Sequence, residues 1–139
     1  MIYESKSVEQ TESIAAEIAK TLSGGECIAL YGELGAGKTQ FVRGLVQGLN
    51  GNARSVSSPT FVLLNLYDSG RLKLFHLDAY RVHGAEDFEA IGFTELLEQG
   101  GVVVVEWAER VEKLLPVHRR NIRISTIDEQ SRRIEVSGK

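Results

Sequence analysis

Residues 32–39 read G-E-L-G-A-G-K-T, and no other stretch constrains the fold of this chain as tightly. Gly32, Gly35 and Gly37 free the backbone to curl until successive N–H groups point into one concavity, which suits an anion better than a packed side chain. The residues before the run, 26–31 (E-C-I-A-L-Y), have the length and apolar content of a buried strand. Those after it put Phe41, Val42, Leu45, Val46 and Leu49 on one helical stripe. A strand feeding a glycine turn that opens a helix belongs to an α/β sheet, and the helix adds its positive end to the concavity.

The same run carries chemistry. In the pattern G-x-x-x-x-G-K-T, Lys38 reaches the β- and γ-phosphates of a nucleotide as a point charge, and the Thr39 hydroxyl takes a Mg²⁺ site. The spacing therefore predicts that the chain binds a nucleoside triphosphate together with Mg²⁺.

The rest of the chain fits one domain over residues 1–139, since 139 residues suffice for a single core and not for a second nucleotide-binding unit. Ser7-Val8-Glu9-Gln10 reads as a capping box opening a helix with Ile14, Ala15, Ile18, Ala19 and Leu22 on one face. Residues 61–67 and 72–78, joined through Asp68-Ser69-Gly70, read as a hairpin added to the sheet. Short helices are expected over 85–91 and 93–98, a strand buried on both faces over 102–105, a short helix over 107–115, and a closing hairpin from 121–126 and 133–136. The sum is a three-layer α/β domain of the P-loop NTPase type, with a mixed, partly antiparallel sheet.

Ligands of open α/β sheets gather at the carboxyl ends of strands, and Asp78 and Glu106 are expected there. Mg²⁺ takes one or two protein ligands plus phosphate oxygens, so Thr39 and one acid suffice. Glu106 is assigned to the metal shell and Asp78 to orienting water, with the two roles exchangeable on position alone. Ser58-Pro59-Thr60 is a candidate γ-phosphate sensor, with the Thr60 hydroxyl able to approach phosphate or metal. Arg81 and Arg110 are candidate clamps for charge developing in phosphoryl transfer. Trp107 and Cys27 read as core, and His76, His83 and His118 as satisfied or exposed, with no zinc-ligand spacing.

The motifs G-E-L-G-A-G-K-T, S-P-T-F, L-D-A-Y-R and E-W-A-E-R, in that order and over nearly the whole chain, resemble the bacterial TsaE (YjeE) family. The resemblance implies a small Mg²⁺-dependent P-loop ATPase, weak alone. It implies work with a TsaD–TsaB heterodimer, and through that complex with tRNA, to place threonylcarbamoyl on the adenosine next to the anticodon. It implies catalytic roles for Lys38, Asp78 and Glu106, Mg²⁺ at Thr39 and Glu106, and ATP contacts from Glu33, Leu34, Gly35, Ala36, Gly37, Lys38, Thr39, Gln40 and Thr60. Thr11 matches a position near the adenine, and Arg132 is placed nearby. Glu33 stands where relatives often carry Asp or Asn, a change tolerated where contact runs through the backbone.

Other classes fit less well. A small-molecule kinase begins with the same loop and is the alternative reading, but Arg81 is the only arginine between Asp78 and Glu106, short of an arginine-rich lid. No N-K-x-D tetrad reads guanine. A net charge of −3 and a pI near 5.6 argue against broad nucleic-acid binding, leaving the Arg119-Arg120, Arg123 and Arg132-Arg133 clusters as candidate contacts. No apolar run suffices to span a membrane and no leader is evident at the N-terminus, so a cytoplasmic chain is expected; the isolated chain is separately expected to be a monomer.

Overall fold

A computed structural model describes residues 1–33, 35–56, 64–81 and 85–138. Leu34, Ser58-Pro59-Thr60 and the Arg81 side chain lie outside the described residues. The strands are β1 (Ile2–Ser5), β2 (Cys27–Tyr31), β3 (Leu64–Tyr67), β4 (Leu74–Asp78), β5 (Val102–Glu106), β6 (Arg120–Thr126) and β7 (Arg132–Gly138). They form one seven-stranded sheet in the order β1-β7-β6-β2-β5-β4-β3. Its centre, β6-β2-β5-β4, is parallel, and its two edges are antiparallel. The expected hairpin is therefore only half an addition: β3 pairs β4 antiparallel, whereas β4 itself joins the parallel centre beside β5.

The helices are α1 (Val8–Ala19), α2 (Lys38–Gly48), α3 (Ala85–Ala90) and α4 (Phe93–Glu98). Alternation along the central strands splits their side chains between two cores. Ile28, Leu30, Val102 and Val104 meet α1 and α2 through Ala15, Ile18, Phe41 and Leu45 on one face. Cys27, Ala29, Val103 and Val105 meet Phe88 of α3 and Phe93 and Leu96 of α4 on the other. Three layers result.

Local chemistry explains the ends. The Ser7 hydroxyl accepts from the Gln10 N–H at 3.0 Å, and the Gln10 amide oxygen accepts from the Lys6 N–H at 2.7 Å, which opens α1 as a reciprocal cap. At Gly44 and Gly48 the two helices come so close that an added Cβ would run into the α1 backbone at Glu12 and Ala16. One further expectation needs correction. Residues 107–115 form two 3₁₀ turns, Ala108–Arg110 and Glu112–Leu114, in place of a helix: Ala108, Val111 and Leu115 are buried at helical spacing, but Trp107 stands in the left-handed region at φ 57° and Val111, at φ −129°, interrupts the run. Strand β1, four residues with no strong pattern, is recruited by pairing with β7.

Candidate functional site

The glycine-rich loop leaves the carboxyl end of β2 and enters α2 through Gly37, whose φ of 102° lies in the left-handed region. No side chain caps that helix start, so its first N–H groups are left for a ligand. Lys38 turns back into the loop. Its Nζ donates to the Gly32 carbonyl at 2.7 Å and stands 3.8 Å from the centroid of the Trp107 ring. Burial holds the Lys38 ammonium below its ordinary pKa, against the opposing pull of Glu106, Glu109 and Asp78. The lysine is thus parked on neutral partners in a pocket edged by acids.

The register delivers the acids. Glu106 pairs with Leu30 on β2, at the root of the loop, and with Asp78 on β4, so both carboxylates close adjacent strands at their carboxyl ends. Both are buried. Asp78 Oδ1 accepts from the Tyr80 N–H at 3.0 Å, whereas Glu106 Oε1 is buried without a hydrogen bond. A buried acceptor left so costs about 1–3 kcal/mol until a donor or cation reaches it. Hard oxygen donors on neighbouring strand ends beside a phosphate loop fit Mg²⁺, with Thr39, half-buried at the start of α2, as a further oxygen.

Two cavities flank the loop. One, of about 390 Å³, is lined by Ser7, Thr11, Gly35, Gly37, Gln40 and Arg132. Thr11 is buried there, its hydroxyl 2.6 Å from that of Ser5. Arg132 is committed to the backbone: Nε donates to Ala36 O at 3.0 Å, and Nη1 to Asp128 O at 2.8 Å and Ser131 O at 2.9 Å. It therefore ties the β6–β7 hairpin to the phosphate loop. The other cavity, about 520 Å³, includes Glu33, Ala36, Tyr80, Trp107, Arg110 and Arg123.

Sequence reasoning missed two residues. Trp107 packs on the core as expected, but its other role is at the site: it follows Glu106 with φ 57°, and its ring neighbours both Lys38 Nζ and the Tyr80 ring, whose centroid is 5.2 Å away. A bulky residue in the left-handed region is rare and gathers at functional sites. Arg110 stacks on Tyr80 at 5.1 Å and not on Glu109. His76 is neither satisfied nor exposed. It is fully buried, with neither ring nitrogen hydrogen-bonded and Nε2 3.2 Å from Glu106 Oε1. The only signal in the sequence was a polar residue at an inward strand position two before Asp78. The basic clusters are largely engaged: Arg119 on Glu112 and Asn121, Arg120 on Thr21, Arg123 over Tyr31, and Arg133 on Glu135.

Residues 5–134 match the family described as Threonylcarbamoyl adenosine biosynthesis protein TsaE. The tRNA threonylcarbamoyladenosine biosynthesis protein TsaE of Treponema pallidum (strain Nichols) is 41% identical over 133 residues, covering 96% of this chain and 97% of that protein. Its counterpart in Bacillus subtilis (strain 168) is 40% identical over 126 residues, 91% of this chain and 78% of that one. The fold is that of the crystal structure of Bacillus subtilus YdiB, with a TM-score of 0.80 and 32% identity over 99% of this chain and 84% of that one. The family match and the relatives each span nearly the full length, the fold is shared, and the chain belongs to the TsaE family.

Proposed function

We propose that this protein is a Mg²⁺-dependent ATP-binding and ATP-hydrolysing component of tRNA threonylcarbamoyladenosine formation, acting as a monomer with the TsaD–TsaB pair in the cytoplasm. The observation that carries the reading is the meeting of Lys38, Asp78 and Glu106 around one glycine loop at the end of the parallel strands. Only a polyanion with a cation makes use of all three.

ATP binding moves Lys38 from Gly32 O and the Trp107 ring to the β- and γ-phosphates. The loop N–H groups and the open start of α2 take the remaining charge. Glu106 and Thr39 would hold Mg²⁺, which would supply positive charge against the phosphates. Asp78, fixed by the Tyr80 N–H, orients the attacking water. Thr11, Gln40 and Arg132 line the cavity on the nucleoside side, and Thr60 serves the γ-phosphate. Hydrolysis resets the partner complex between rounds of tRNA modification.

The test is ATP hydrolysis by the purified chain with Mg²⁺, alone and with TsaD–TsaB and tRNA, using Lys38→Ala as the blank. Strong stimulation by the partners is the expected result. Transfer of the γ-phosphate to a small acceptor, with no partner response, would instead select the kinase reading.

A further inference from the structure

His76 has no evident reason to be polar. It is fully exposure-free on β4, in the layer that holds Leu74, Val104 and Tyr67, where a hydrocarbon ring of the same size would pack as well. Among the described residues the polar side-chain atom recorded against it is Glu106 Oε1, 3.2 Å from Nε2, and that oxygen is itself buried and without a hydrogen bond. Strand register explains the approach. His76 pairs with Val104 and Asp78 with Glu106, so the Glu106 carboxylate has a like-charged neighbour directly beside it and the imidazole one step back along β4. Repulsion within the acid pair pushes the Glu106 carboxylate away from Asp78, and the Lys38 charge, shared with Asp78 and Glu109, does not single out one carboxylate oxygen.

We infer that His76 is the positioning residue for Glu106, its Nε2, 3.2 Å from Oε1 and short of a hydrogen bond as the site stands, closing that bond from behind when the carboxylate takes the metal through its other oxygen. The inference rests on the reading of Glu106 as a Mg²⁺ carboxylate. An outer partner of this kind fixes the ligand's direction and basicity, and its loss weakens metal affinity about ten- to hundredfold. Phosphate binding by Lys38 and the loop does not pass through His76 and is left intact.

The experiment is Mn²⁺ binding to the ADP-loaded protein, followed by electron paramagnetic resonance, for the wild type, His76→Phe, His76→Gln and Glu106→Gln. ADP affinity in EDTA and melting temperature are measured on each. His76→Phe is expected to weaken Mn²⁺ about ten- to hundredfold with metal-free ADP affinity unchanged. His76→Gln, which restores an N–H donor at similar reach, is expected to recover most of that loss. Mn²⁺ affinity within about twofold of wild type in His76→Phe, with Glu106→Gln weakened, would overturn the role of His76 alone. No recovery in His76→Gln would reduce His76 to packing and also overturn it. Full Mn²⁺ affinity in Glu106→Gln would overturn the metal role of Glu106, and the inference with it. Wild-type imidazole ¹⁵N spectra give a second measurement that needs no variant: a ring carrying a proton at Nε2 that responds to Mg²⁺–ADP is expected, and a ring without a proton at Nε2 or indifferent to Mg²⁺ overturns the assignment.

Discussion

Lys38 shows how one side chain is held ready for a ligand that it must leave its present partners to meet. An ammonium 3.8 Å above an indole is a cation–π contact of about 1–2 kcal/mol when partly desolvated. Nucleotide phosphates replace it with stronger charge–charge contacts. Trp107 is the only tryptophan in the chain, so its emission reports this exchange directly. ATP is expected to change the fluorescence of the wild type and to leave that of Lys38→Ala unchanged; an unmoved wild-type signal at saturating ATP would refute the transfer of Lys38. Cys27 makes a contrasting case. Burial pushes its thiol up to about 12, against a smaller opposing effect of Arg119. The native thiol should therefore stay unreacted with a disulfide reagent at pH 8, and one thiol per chain should appear on denaturation. Reading Cys27 as core needed only its place in an apolar strand. Reading His76 as the neighbour of Glu106 needed the register of β4 against β5, because the two lie far apart in sequence.

Elements differ in how much of their form is local. α1 and α2 carry their own apolar stripes, α1 with a side-chain cap as well, and both are legible in the sequence. Their closeness is not, since it depends on Gly44 and Gly48 meeting Glu12 and Ala16 across the helix pair. Gly44→Val is expected to cost about 1–3 kcal/mol by overpacking, read as a lower melting temperature with nucleotide contacts unaltered. The 107–115 segment failed as a predicted helix because a few apolar residues before a proline satisfy two tight turns as readily as one helix. The β6–β7 hairpin was expected as an element, yet its tie to the phosphate loop hangs on one guanidinium. Arg132→Ala should weaken ATP binding severalfold and speed amide hydrogen exchange over 128–131, while Arg133→Ala, whose partner is Glu135, should do neither.

At the scale of the whole molecule, binding and stability are linked through the loop that joins β2 to α2. A ligand held only by the folded state adds about 2.7 kcal/mol at a hundred times its dissociation constant. Mg²⁺ with a non-hydrolysable ATP analogue should therefore raise the melting temperature of the wild type, and leave that of Lys38→Ala in place. Among the described residues no helix is long and apolar enough to cross a membrane, and no three of the His, Cys, Asp and Glu side chains gather into a metal cage. Mg²⁺ keeps several waters and binds best where one or two carboxylates are joined by phosphate oxygens, so metal and nucleotide affinities at Glu106 are expected to be interdependent. The sequence by itself determined the phosphate loop, the strand and helix that flank it, the layered α/β class and the two acids at strand ends, because each is written in residue type and short spacing. Tertiary structure alone decided which strands became neighbours. Only through that pairing did Asp78 come to lie beside Glu106, His76 behind it and Trp107 over Lys38, since contacts across a sheet depend on strand order and register that no local pattern specifies.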